Sequence, residues 1–188
     1  MQIIPAILTS NVQELDSLLR QIRDSQKFER VQIDFIDGKY ANSLTIKPQD
    51  VDTIPYLPLK YDAHLMVVED NILFYSKAAE KIGFDRVIAQ MESISRPQDF
   101  SCLALDLETP IEKIEPYLKK LDLVVLLSVR AGQGGQEFDK RVLDKIKKIA
   151  GRGVRICVDG GVEKEQLPLL ENLRVDEVAV GAKRVLSW

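Results

Sequence analysis

The stretch Val31-Gln32-Ile33-Asp34-Phe35-Ile36 decides the fold. Side chains of a strand point alternately to its two faces, so Val31, Ile33 and Phe35 form one apolar face, suited to covering helices. The opposite face carries Gln32, Asp34 and Ile36. Seven further runs have similar length and character: Ile3 to Leu8, Tyr61 to Val67, Arg86 to Met91, Cys102 to Leu107, Leu123 to Val129, Val154 to Asp159 and Glu177 to Val180. Between them apolar residues recur at a spacing of three and four, most clearly at Val12 to Asp24, Asn71 to Ile82, Ile111 to Leu121, Lys140 to Ala150 and Lys164 to Leu173. That period predicts amphipathic helices. Strands alternating with helices imply parallel strands joined by helical crossovers.

Eight strands exceed the five or six of a doubly wound open sheet, so the expected fold is a compact (β/α)8 TIM barrel, a single domain over residues 1–188. Shared among eight units, the chain has only about 23 residues for each, little more than one strand, one helix and two short loops. Trimming follows. Arg96 to Phe100 is too short for a full fourth helix, and Lys183 to Trp188 leaves a stub after the eighth strand. At 45% hydrophobic and 29% charged residues the composition is that of a globular domain, which excludes disorder, collagen and coiled coil. The net charge is −3 and no dense run of Lys or Arg occurs, so neither nucleic acid nor a membrane surface is expected as partner. Apolar runs such as Leu123 to Leu127 fall far short of the roughly 18 residues of a membrane span. Met1 to Pro5 has no basic region or cleavage site of a secretion signal, so the expected location is cytoplasmic. Cys102 and Cys157 make neither a disulfide framework nor a zinc cluster and are read as buried small hydrophobes.

The same alternation sorts the polar residues of the other strands. Asp62, His64 and Met66 share one face of the third strand, and Cys157 and Asp159 point inward from the seventh, opposite Ile156 and Val158. A carboxylate inside a low-dielectric barrel costs several kcal/mol unless it finds a partner or a ligand. A buried ion pair or a turn cap is one account of Asp34 and Asp159. A second account rests on their position at the carboxyl ends of their strands, where barrel active sites are built. Strands two and seven lie three steps apart around the ring, so the two carboxylates converge from nearly opposite sides, as a two-base proton exchange requires. For His64, the only histidine, a hydrogen-bonded core position and metal ligation both remain open. Gly132-Gln133-Gly134-Gly135, Gly160-Gly161 and Gly181-Ala182 follow strands six, seven and eight. Singly, each is ordinary turn chemistry. Together on neighbouring strands they match the phosphate position recurrent in this fold, where backbone N–H groups approach an anion closely, so a phosphorylated small molecule is expected.

These residues resemble the ribulose-phosphate 3-epimerase family over nearly the whole chain. The resemblance is carried by Ile4-Pro5-Ala6-Ile7-Leu8, Asp34-Phe35-Ile36-Asp37-Gly38, Ala63-His64-Leu65-Met66-Val67, Val158-Asp159-Gly160-Gly161 and the loop Ser128 to Phe138 with its Gly132, Gly134, Gly135 and Gln136. It implies that Asp34 and Asp159 are the acid/base pair, that both touch a catalytic divalent metal, and that His64 is a further ligand. It also implies substrate contacts at Ala6, His64, Met66, Gly132, Gln133, Gly134, Gly135, Gly160, Gly161, Gly181 and Ala182. The implied reaction removes a proton from C3 of a ketose phosphate and returns one to the opposite face through a metal-stabilised enediolate. The expected substrate pair is D-ribulose 5-phosphate and D-xylulose 5-phosphate.

Departures from the family pattern fall in the site. Gln32 stands where the family has a second metal-binding histidine, and its amide oxygen is a poorer ligand for zinc or iron. A weakly held zinc, iron or manganese ion, with Gln32 as fourth candidate ligand, is the resulting expectation. Ala6 replaces a serine, Leu127 and Ile36 replace methionines, Gln133 an aromatic residue and Gln90 a histidine. A ketohexose-phosphate epimerase and a phosphosugar-binding barrel with impaired catalysis stay open as alternatives. Asp37 reads as a loop residue. The oligomeric state is not readable from the sequence; Val185, Leu186 and Trp188, if exposed beyond a truncated last helix, would form an apolar patch able to seat a second copy of the chain in a homo-oligomer.

Overall fold

All eight β-branched runs become strands in a computed structural model that describes residues 1–188. They are β1 (Gln2–Ile7), β2 (Arg30–Ile36), β3 (Lys60–Met66), β4 (Arg86–Gln90), β5 (Cys102–Leu105), β6 (Leu123–Leu127), β7 (Arg155–Asp159) and β8 (Glu177–Gly181). Parallel ladders join them in chain order, and β8 closes on β1 from Gln2 opposite Glu177 to Ala6 opposite Gly181. The molecule is a TIM barrel.

Alternate residues along each strand stack inside the barrel in layers. At the amino-terminal end Asp62 and Glu177 are fully buried around Arg86, whose Nε donates to Asp62 Oδ1 at 2.8 Å and whose terminal nitrogens reach Glu177 at 3.0 and 2.9 Å. Arg30 and Arg155 close on the same two carboxylates. A buried charge needs such partners, and for Asp62 the ion pair is the whole account. The next layer is apolar: Ile88, Cys102, Ala104, Leu123, Val125, Cys157 and Ala179. Both cysteines are buried and free, as expected. Toward the carboxyl ends lie Asp34, His64, Gln90 and Asp159, with Gln32 one pleat below Asp34 on the same face of β2.

Outside the barrel, Val31, Ile33 and Phe35 pack with Leu15, Leu18, Leu19 and Ile22 of α1 (Val12–Ser25). Each such side chain contributes about 1.5 to 3 kcal/mol by leaving water. The start of α1 is fixed by Asn11, whose side-chain oxygen accepts from the N–H groups of Gln13 and Glu14. The other helices are α2 (Glu69–Ile82), α3 (Val142–Ile149), α4 (Leu167–Asn172) and α5 (Ala182–Val185). The fourth unit is reduced to two 3-10 turns, Met91–Ser93 and Pro97–Asp99, and the eighth to the four residues of α5, as the residue count requires.

Three expectations need correction. Ile111 to Leu121 is not an α-helix but two 3-10 segments, Ile111–Lys113 and Glu115–Lys120. Pro116 has no N–H for the helical ladder and its ring would collide with the carbonyl four residues earlier, yet Ile111, Ile114, Leu118 and Leu121 still bury their side chains. The stretch Lys164 to Leu173 likewise divides, with a 3-10 turn over Lys164–Gln166 before α4, because Pro168 fits only the first turn of a helix. The C-terminal apolar patch is smaller than expected: Val185 is 2% exposed, and Leu186 and Trp188 pack half-buried against the outer core. No helix is long and apolar enough to cross a membrane.

Candidate active site

Parity and strand ends together bring the site into being. Asp34 sits one turn of the pleat before the end of β2, His64 lies opposite it on β3, and Asp159 closes β7. Ser128 fixes the end of β7, its N–H donating to the Asp159 carbonyl at 2.8 Å and its hydroxyl at 3.1 Å. One oxygen from each aspartate and one nitrogen of His64 lie within 4.8 Å of one another. His64 Nδ1 is 3.2 Å from Asp34 Oδ1 and 3.6 Å from Asp159 Oδ2. The convergence expected from the strand count is therefore observed.

Electrostatics differ among the three. Burial, and then the Asp34 carboxylate, push the Asp159 carboxyl up to about 6, against the opposing pull of His64 and Gln32. For His64 burial alone would lower the imidazole, but the carboxylates of Asp34 and Asp159 outweigh it and hold the ring above its ordinary value.

Two glutamines frame this triad. Gln32 presents its amino end, donating to Asp34 Oδ1 at 2.9 Å and to Asp159 Oδ2 at 2.8 Å, with His64 Nδ1 at 3.5 Å. Its carbonyl oxygen, the atom expected to face a metal, points away from the carboxylates. On the far side of the ring Gln90 Nε2 lies 3.0 Å from His64 Nε2, while Gln90 Oε1 is buried with no hydrogen-bond partner.

A cavity of about 430 Å³ opens above the triad. Its walls include Ala6, Asp34, His64, Met66 and Asp159, together with Gly132, Gln133, Gly134, Gly135, Gly160, Gly161, Gly181 and Ala182. Every substrate-contact residue expected from the sequence thus borders one space, whereas Gln32 lies beneath it. The N–H groups of Gly160 and Gly161 have no acceptor within the chain. Gly161 is required sterically: at φ +63° a Cβ there would come within 2.4 Å of the Phe138 nitrogen. Gln136 holds the β6 loop in shape by donating to the Arg130 and Gln133 carbonyls, both at 2.8 Å. Ser43, from the loop after β2, donates to the Gly132 carbonyl at 2.7 Å.

Sequence reading missed the four charged residues of this wall outside the triad, Glu14, Arg130, Lys183 and Arg184. Lys183 pairs with Glu14 at 2.5 Å, and the signal for it was the Lys-Arg pair directly after Gly181-Ala182. Asp37 is the loop residue expected. It accepts from the N–H groups of Lys39, Tyr40 and Val68 and from Asn71, and these bonds hold its carboxyl below the usual range although burial pushes the other way.

The donor set suits a divalent metal, two carboxylate oxygens and one imidazole nitrogen being a combination common to zinc, iron and manganese. The orphaned Gln90 oxygen agrees. Metal ligation by Nδ1 leaves the proton on Nε2, which then needs an acceptor beside it, and Gln90 carries one that nothing else uses.

A barrel of parallel strands with two carboxylates and an imidazole at its carboxyl mouth, under a glycine-walled cavity, belongs to the class of TIM-barrel enzymes. The fold alone extends widely: the tryptophan synthase complex of Pyrococcus furiosus matches with a TM-score of 0.68 at 14% identity over 99% of this chain and 88% of that one. Phosphoribosyl anthranilate isomerase of Thermus thermophilus matches at 0.66 and 14%, over 100% of this chain and 96% of that one. Sequence is more specific. The profile of the ribulose-phosphate 3 epimerase family matches residues 2–184. The ribulose-phosphate 3-epimerase of Bacillus subtilis (strain 168) is 32% identical over 90% of this chain and 85% of its own length. Ribulose-phosphate 3-epimerase 2 of Cupriavidus necator is 30% identical over 96% of this chain and 83% of its own length. The chain belongs to the ribulose-phosphate 3-epimerase family and is an epimerase, an enzyme of the isomerase class.

Proposed function

We propose that this chain interconverts D-ribulose 5-phosphate and D-xylulose 5-phosphate by proton exchange at C3 between Asp34 and Asp159. The observation that carries the reading is the approach of the two carboxylates from strands on opposite sides of the mouth, within reach of one bound carbon. One carboxylate takes the C3 proton, and the C–H electron pair moves toward the C2 carbonyl to give an enediolate. The other, protonated, delivers its proton to the opposite face and inverts the centre. The raised Asp159 carboxyl suits the proton-holding partner, its value of about 6 lying near the pH at which a general acid works. Gly160 and Gly161, with their unpaired N–H groups, and Lys183 at the cavity rim bind and orient the phosphate. A divalent metal held by Asp34, His64 and Asp159 would supply Lewis-acid stabilisation of the enediolate charge.

One observation favours the binding-only reading: the Gln32 amide engages both carboxylates and competes with substrate for them. Solvent exchange separates the two. In heavy water the wild-type chain is expected to wash deuterium into C3 of D-ribulose 5-phosphate and to form the xylulose epimer, while Asp34→Asn and Asp159→Asn lose both and keep phosphate-ester binding within a few-fold. Substrate bound without label, or a variant retaining more than a tenth of parental activity, would overturn the two-carboxylate mechanism.

A further inference from the structure

His64 is clamped between two carboxamides, and its two ring nitrogens face different chemistry. Nδ1 looks at Asp34 Oδ1 and Asp159 Oδ2, both of which accept from Gln32, and at the amino end of Gln32 itself. Nε2 looks at Gln90 alone, at 3.0 Å. With the Gln90 amino end toward the ring, Nε2 must accept, so the ring proton sits on Nδ1 and is donated to Asp34. This leaves Gln90 Oε1 buried and unpaired on a fully buried side chain, which costs the fold stability. A carboxamide turned over by half a rotation has nearly the same shape with oxygen and nitrogen exchanged. In that orientation Oε1 accepts from Nε2–H and Nδ1 is bare.

We infer that Gln90 is a positioning residue for His64, whose carboxamide turns over to let the ring pass from a hydrogen-bonded Nδ1–H tautomer to an Nε2–H tautomer that ligates a divalent metal. The inference rests on the metal reading above. The ring gives up the proton on Nδ1 to solvent and takes one from solvent on Nε2, so the proton count of ring and solvent is unchanged. Gln32 turns over in the same step: its amino end would be repelled by a cation beside the carboxylates, and its carbonyl end would be attracted. A histidine at position 90 could serve as donor or acceptor only by changing its own protonation or tautomer, whereas an amide does so by rotation.

The chain has one histidine, so nitrogen NMR of imidazole-labelled protein reads this ring without assignment. The wild-type chain, stripped with chelator at a pH alkaline enough to leave the ring neutral and then titrated with zinc, is expected to show the proton on Nδ1 before the metal and on Nε2 after it. Calorimetry with zinc should show Gln90→Leu binding about 10 to 100-fold more weakly than wild type, the range for a lost hydrogen-bond partner behind a metal-bound histidine. Gln90→Glu, which offers an acceptor but no donor, should return the affinity to within a few-fold of wild type. Zinc bound with the proton still on Nδ1, or equal affinity for wild type and Gln90→Leu, overturns the inference and leaves metal use intact. No zinc binding at all overturns both.

Discussion

Replacing Asp159 by Asn should make the metal-free protein more stable at neutral pH while removing one of the two carboxylates proposed to exchange the proton. The carboxyl is pushed up to about 6 in the fold, against an ordinary 3.8, by burial and by the Asp34 carboxylate. A shift of about two units at about 1.4 kcal/mol each corresponds to an energy on the order of 3 kcal/mol. The sign follows from proton linkage. Below about pH 4 the proton is bound in both folded and unfolded chains and the group costs nothing. Between about pH 4 and 6 the unfolded chain releases its proton first, and the folded state loses ground. Above about pH 6 the full penalty persists. Asn is nearly isosteric and can still accept from Gln32, so it removes the charge without stranding a donor. In thermal denaturation with chelator present, the variant should melt with the wild type near pH 4 and roughly 6 to 12 °C above it near pH 8, at about 2 to 4 °C per kcal/mol for a chain of this size. A difference independent of pH, or a variant less stable at pH 8, would refute the argument that the site stores this destabilisation.

Arg86→Met should cost about 3 to 5 kcal/mol in urea denaturation, because Asp62 and Glu177 remain fully buried with fewer partners; a loss below about 1 kcal/mol would mean Arg30 and Arg155 suffice. Gly134→Val should raise KM for the sugar phosphate at least tenfold with little change in Tm, since only Leu8 lies near its Cβ, at 3.6 Å, on the cavity wall. Gly161→Ala should instead lower Tm together with activity, as its Cβ meets backbone. Gln32→His should tighten zinc binding in calorimetry by at least tenfold, and an unchanged affinity would place residue 32 outside the metal shell.

How far the sequence reaches is clearest along the strands. The period-two alternation of Val31, Ile33 and Phe35 against Gln32 and Asp34 was enough to assign inside and outside, because a strand has only two faces and the apolar one must meet the helices. Eight such runs determined the closed barrel, and the glycine clusters marked one wall of the cavity, since both depend on local residue types. Helical periodicity was less secure. At Ile111 to Leu121 the spacing of buried residues was right, but Pro116 overrode the geometry that the spacing normally signals.

What only the tertiary structure decided concerns pairs far apart in the chain. That Asp62 is a structural ion pair while Asp34 and Asp159 border a cavity depends on which arginines arrive from strands β2, β4 and β7, and parity is blind to that. The sequence could place Gln32 inside the barrel, but not which end of its amide faces the carboxylates. That orientation is set by the convergence of Asp34 and Asp159, which are 125 positions apart in the chain. The role of Gln90 was equally hidden, since a buried oxygen without a donor exists only once packing has excluded water from around it.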